Sequence, residues 1–160
     1  MKSWDERIDE VWADQSLSDR QRVEQIDVLA DQRPDGDARA LFERAGARDS
    51  AGLEAEAEGL YRRALDAGLD DEHRPQAVIQ LASTLRNLGR TEEALEMLRS
   101  ERERGGPLAD AAAAFHALAL ASHGDPVAAV AVALETLAPH LPLYTRSVMA
   151  YARELAAPPR

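Results

Sequence analysis

Three glycines, Gly52, Gly89 and Gly124, recur 37 and 35 residues apart, and five positions after each comes an alanine, Ala57, Ala94 or Ala129. A recurrence of that length marks a supersecondary unit that must stack, because each copy leaves an apolar face that only the next can cover. Glycine supplies the left-handed residue at which a helix stops. Alanine lets the two helices around such a turn nest, where a larger side chain would force them apart. Apolar positions flank both marks. Leu41 and Ala45, Leu81, Ala82 and Leu85, then Ala113, Ala117 and Leu120 precede the glycines; Tyr61 and Ala64, Leu98, then Ala133 and Leu137 follow the alanines. The pattern predicts a series of antiparallel helical hairpins.

The residue types agree. The chain has 31 alanines and only 4% aromatics, it is rich in Leu, Glu and Arg, and it lacks long β-branched runs; this is helix-forming material with little from which to build a sheet. Helix starts and stops are legible. Ser18-Asp19-Arg20-Gln21 reads as a capping box, Thr91-Glu92-Glu93 as a cap with two acids at the positive end of the dipole, and Asp125-Pro126 as a cap with proline at the first helical position. Gly68, Gly89, Gly105-Gly106 and Gly124 fall where helices should end. Nine helices are expected, near 3–14, 18–32, 36–48, 52–67, 72–88, 91–104, 108–123, 126–139 and 143–156. The two- to five-residue links between them force antiparallel neighbours. The fold class is all-α.

A period near 34, a turn glycine and a small residue five positions on resemble the tetratricopeptide repeat. Ala55-Glu56-Ala57-Glu58-Gly59-Leu60-Tyr61-Arg62-Arg63-Ala64-Leu65 and Thr91-Glu92-Glu93-Ala94-Leu95 look like that family's second helix, and residues 77–89 look like its first. The resemblance implies an α-solenoid, a right-handed superhelix, in one domain over residues 1–160, as in a small stand-alone bacterial member. It divides the chain into an N-terminal cap or degenerate repeat (1–33), three repeats (36–69, 72–105 and 108–140) and a C-terminal capping helix (143–156). The chain departs from the family pattern at Leu69, where proline is usual, and at Glu101, where a small residue is usual; its third repeat is almost entirely Ala, Val and Leu.

The resemblance also implies a concave groove that binds a peptide or helix of another protein. Its partner-binding positions carry over to Arg39, Phe42, Gln76, Gln80, Ser83, Arg86 and Asn87, with Gly46, Asp49, Ser50 and Ile79 beside them and Ala111, Ala114, Leu118, Ala121 and Ser122 from the third repeat. Amides and hydroxyls there both donate and accept, which suits a peptide backbone. The co-chaperone activity of the family is excluded, because the places of its basic and asparagine clamp hold Phe42, Gly46, Gln80, Ala111 and Phe115.

Other function classes have little support in the sequence. The chain has no cysteine, which removes thiolate metal sites and cysteine nucleophiles. Its start lacks the apolar core of a secretion signal, and charges and turns interrupt every apolar stretch before the roughly 20 residues of a membrane span, so a cytoplasmic location is expected. The net charge is −10, with 25 acidic and 16 basic residues in 1–107 against four and three in 108–160. A phosphate backbone would be repelled, so nucleic acid is not an expected partner. His116 and His123 lie seven residues apart, too far along a helix to share a metal, and neither His73 nor His140 shows a nucleophile partner. Glu54, Glu56 and Glu58 read as a solvated face. No phosphate-cradling loop, nucleophile elbow or zinc-protease motif occurs. The expectation is a binding protein, not an enzyme, with no cofactor and no metal. The alanine-rich third repeat covers more of its helices than one core stripe needs, so it is either a tightly packed pair or an interface with a second subunit, a homodimer being the alternative reading.

Overall fold

The computed structural model describes residues 2–157. Among these residues there are nine α-helices, one three-residue 3-10 turn and no strand. The helices are α1 (Trp4–Ala13), α2 (Asp19–Ala30), α3 (Ala38–Ser50), α4 (Glu54–Ala67), α5 (His73–Asn87), α6 (Thr91–Arg104), α7 (Ala109–His123), α8 (Pro126–Leu137) and α9 (Thr145–Ala156).

Local chemistry sets their ends. Ser3 with Glu6 and Ser18 with Gln21 form complete capping boxes that open α1 and α2. The carboxylates of Asp37 and Asp125 accept from the backbone N–H of Ala40 at 2.9 Å and of Ala128 at 3.0 Å, opening α3 and α8.

The recurring glycines are one turn built three times. Gly52, Gly89 and Gly124 take φ of +72°, +79° and +98°. The next residue in each case donates its backbone N–H to the carbonyl five positions back: Leu53 to Arg48 at 2.9 Å, Arg90 to Leu85 at 2.8 Å and Asp125 to Leu120 at 3.0 Å. This closure satisfies carbonyls that a helix end leaves open. The same residue then starts the following helix, its carbonyl accepting from Ala57 at 3.0 Å, Ala94 at 3.2 Å or Ala129 at 3.1 Å. Those three alanines are buried, at 0%, 0% and 7% exposure. The five-residue interval is thus the length of one helix stop, one cap and one first turn.

The helices form two compact units, residues 1–84 and 85–160. Within each, consecutive helices pack against one another, as in a helical-repeat solenoid. In the first unit α1 packs on α2, α2 on α3, and α3 pairs with α4. Ile8, Val11, Ile26, Leu29 and Ala47 form a core cluster here, with Trp4, Trp12, Leu17 and Val23 around it. Arg48 grips Asp27 through two hydrogen bonds of 2.9 and 3.0 Å, and its Nε lies 3.2 Å from Glu56. That fork geometry ties α2 and α4 to α3.

In the second unit α7 packs between α6 and α8, and α9 lies along α8. Glu101 of α6 is buried at 4% exposure, and Arg102 reaches Glu135 of α8 at 3.1 Å. His116 of α7 is 9% exposed and its Nδ1 is buried without a hydrogen-bond partner. Burial lowers its pKa, with help from Arg102 and Arg99. A histidine depressed in the folded chain titrates higher in the unfolded one, so the unfolded state gains protons first as pH falls. Its contribution to stability is therefore full above the ordinary histidine pKa of about 6.5 and is lost progressively below it. Urea midpoints should fall between pH 7.5 and pH 5.5, and a His116→Leu variant should lose part of that fall; an identical fall in the variant would show that His116 plays no part.

No helix among the described residues is long and apolar enough to cross a membrane.

Candidate functional site

Side chains of four helices line a cavity of about 400 Å³ in the first unit. Asp9 and Trp12 come from α1, and Arg39, Phe42, Glu43, Gly46, Asp49 and Ser50 from α3. Tyr61 comes from α4, His73, Gln76 and Gln80 from α5, and Glu72 from the turn just before α5. The spacings along α3 and α5 are those of a single helix face. Gly46 keeps the cavity open, because a Cβ there would lie 3.3 Å from the Trp12 ring.

The inner wall is aromatic and fixed. Tyr61 is wholly buried and Phe42 is 6% exposed, their ring centroids 6.2 Å apart. The His73 ring stands edge-on to Phe42 at 5.7 Å. His73 is held by Asp70, which accepts from its backbone N–H at 2.8 Å and lies 2.7 Å from its Nδ1. The backbone hydrogen bond is the main reason that the Asp70 carboxyl sits below its usual range.

Two carboxylates lie deep in the wall. Glu43, 4% exposed, accepts from the Trp12 indole at 2.6 Å and from the Arg39 guanidinium at 2.7 and 3.0 Å. Burial raises its pKa in spite of both donors. Asp49 is raised by burial too; it faces the Thr84 hydroxyl at 3.2 Å and the Tyr61 hydroxyl at 3.4 Å. Tyr61 has one proton, and it goes to the Gln80 side-chain oxygen at 2.7 Å. That leaves Asp49 with a long, weak contact, and the N–H₂ of Gln80, a lining residue, takes no part in the Tyr61 bond. Burial, followed by the Asp49 charge, raises the Tyr61 phenol well above its ordinary value.

Residues 38–155 match the Tetratrico peptide repeat family. The chain belongs to that family. Among curated proteins, none matches it.

Of the residues expected to form the groove of this tetratricopeptide-repeat protein, Arg39, Phe42, Gln76 and Gln80 come together in the cavity, with Gly46, Asp49 and Ser50. Phe42 forms part of its wall, and Arg39 is engaged internally, paired with Glu43 and lying 3.3 Å from Asp5. Ser83 lies on the same face of α5 as Gln76 and Gln80 but beyond the cavity. Arg86 and Asn87 belong to the second unit, where their side chains bond each other at 3.3 Å. The sequence reading did not select Asp9, Trp12, Glu43, Tyr61, Glu72 or His73 for this site. His140, without an evident partner in the sequence, lies 3.0 Å from Asp110. Among the described residues no group of three His, Asp or Glu side chains is placed to hold a metal ion.

Proposed function

We propose that this tetratricopeptide-repeat chain is an interaction scaffold whose first-unit cavity receives a segment of a partner protein presenting a lysine or arginine. The charge of the wall carries the reading. Asp9, Glu43, Asp49 and Glu72 line the cavity against the single guanidinium of Arg39, which Glu43 already engages. Burial raises the pKa of Glu43 and Asp49 by disfavouring their charged forms, and a cation entering there would offset that cost. Gln76 and Gln80 flank the opening with groups able to pair a peptide backbone. Ser83 continues that row along α5. The reading is of recognition, not catalysis: the Tyr61 phenol is committed to Gln80 and held protonated by its surroundings.

Selection from a random peptide library on the immobilised chain tests this. Lysine or arginine should be enriched at one position of the selected peptides. Asp9→Asn with Glu72→Gln should weaken them several-fold, about 1 kcal/mol for exposed charges, with a matching loss of salt dependence. Selected peptides without a basic residue, or indifferent to both substitutions, would refute it.

A further inference from the structure

The second unit leaves one broad side of its central hairpin uncovered. Between α7 and α8 runs an apolar groove of about 610 Å³, and no residue of α9 lines it. Ala117, Ala129 and Thr136 form its less exposed floor; the exposed side chains along it are Ala114, Leu118 and Ala121 on α7 and Val130, Ala133 and Leu137 on α8. The three large ones are each about half exposed, at 47%, 48% and 49%. Its most polar residues, Asp110 and His140, sit at one end, their side chains 3.0 Å apart. In a stacked array each hairpin face is covered by a neighbour. Among the described residues of the second unit, none covers this face.

We propose that a second copy of this chain covers it, the two grooves meeting face to face about a two-fold axis parallel to the helices. Such an interface must complement itself. The Asp110–His140 contact fixes which residues of the antiparallel pair stand level: Ala114 with Leu137, Leu118 with Ala133, and Ala121 with Val130. Along α7 the order is small, large, small; along α8 at the same levels it is large, small, large. An axis parallel to the helices lays α7 of one copy over α8 of the other and keeps the levels. Each large side chain then faces an alanine of the other copy, which is the alternation that close packing needs.

Charge favours the same occupant. Residues 108–160 carry four acidic and three basic residues, whereas 1–107 carry 25 and 16. Two copies of a chain of net charge −10 therefore repel least through this segment. Two helices of this length offer a footprint of roughly 20 by 20 Å on each copy, about half of the ~800 Å² per partner in a standard interface. The dimer is accordingly weak and reversible.

Sedimentation equilibrium of the full chain at micromolar to near-millimolar concentrations should show a monomer–dimer transition. Leu118→Glu should abolish it, and Ala133→Leu, which sets leucine against leucine, should weaken it at least tenfold. The exchange Leu118→Ala with Ala133→Leu keeps large against small and should restore it. All these positions are exposed, so circular dichroism and thermal midpoints should stay as in the parent chain, and library peptides should bind the first unit unchanged. A monomer throughout the range would overturn the proposal. So would a dimer indifferent to Leu118→Glu, or a monomer whose groove takes only a foreign amphipathic helix.

Discussion

Cutting Tyr61 back to alanine is expected to destabilise the first unit by about 3–5 kcal/mol, the cost of removing a fully buried aromatic side chain. Its ring is wholly enclosed and packs beside Phe42, so the neighbours can collapse only partly into the space. Its hydroxyl also carries the Gln80 bond and the contact with Asp49. Tyr61→Phe separates the two contributions. That variant keeps the ring and removes only the hydroxyl, which should cost about 1–2 kcal/mol, mostly for polar groups left without a donor. Both tryptophans, Trp4 and Trp12, lie in this unit, so urea titrations followed by their emission report on it. Equal losses for the two variants would mean that hydrogen bonding, not packing, dominates at this position.

Leu98→Ala is the counterpart in the second unit, with an expected loss of about 2–5 kcal/mol. Leu98 is 1% exposed and lies four residues beyond Ala94, on the buried face of α6. Its repeat neighbour is an alanine because the helices approach closely there, so little mobile bulk is at hand to refill the void. The upper half of the range is therefore expected. This unit has no tryptophan, and the measurement is urea unfolding followed by helical circular dichroism. A loss below about 1 kcal/mol, the scale of a single surface effect, would show that α6 is packed loosely and that the repeat alanines are not close-approach positions.

The helical architecture was legible because its signals are local. The Ser18–Gln21 box, the Asp125-Pro126 start and the left-handed glycines act within a few residues of the chain, and the helices they delimit lie where the punctuation put them. Thr91–Arg104 coincides with its expected span, and the α3 end moved by two residues because the turn closes onto Arg48 and Asp49 rather than stopping before them. The cavity was legible only in part. The resemblance to the repeat family pointed to one face of α3 and one of α5, and so to Phe42, Gln76 and Gln80. The α1 wall was not readable. Trp12 belongs to a stripe that looks like ordinary core, and its bond to Glu43 spans 31 residues. Glu43 itself reads as a solvated charge until Trp12 and Arg39 are placed over it. Likewise His140 meets Asp110 across 30 residues, a pairing that only tertiary structure creates.

On the proposed reading, a partner's basic segment enters the cavity lined by α1, α3, α4 and α5. Nuclear magnetic resonance of the two indole N–H groups during titration with a library-selected peptide reports on that entry. The Trp12 indole, bonded to Glu43 inside the cavity, should shift saturably, while the Trp4 indole, bonded at 2.8 Å to the Leu29 carbonyl, should stay in place. Saturable binding that leaves Trp12 unmoved would put the peptide outside this cavity and overturn the proposal.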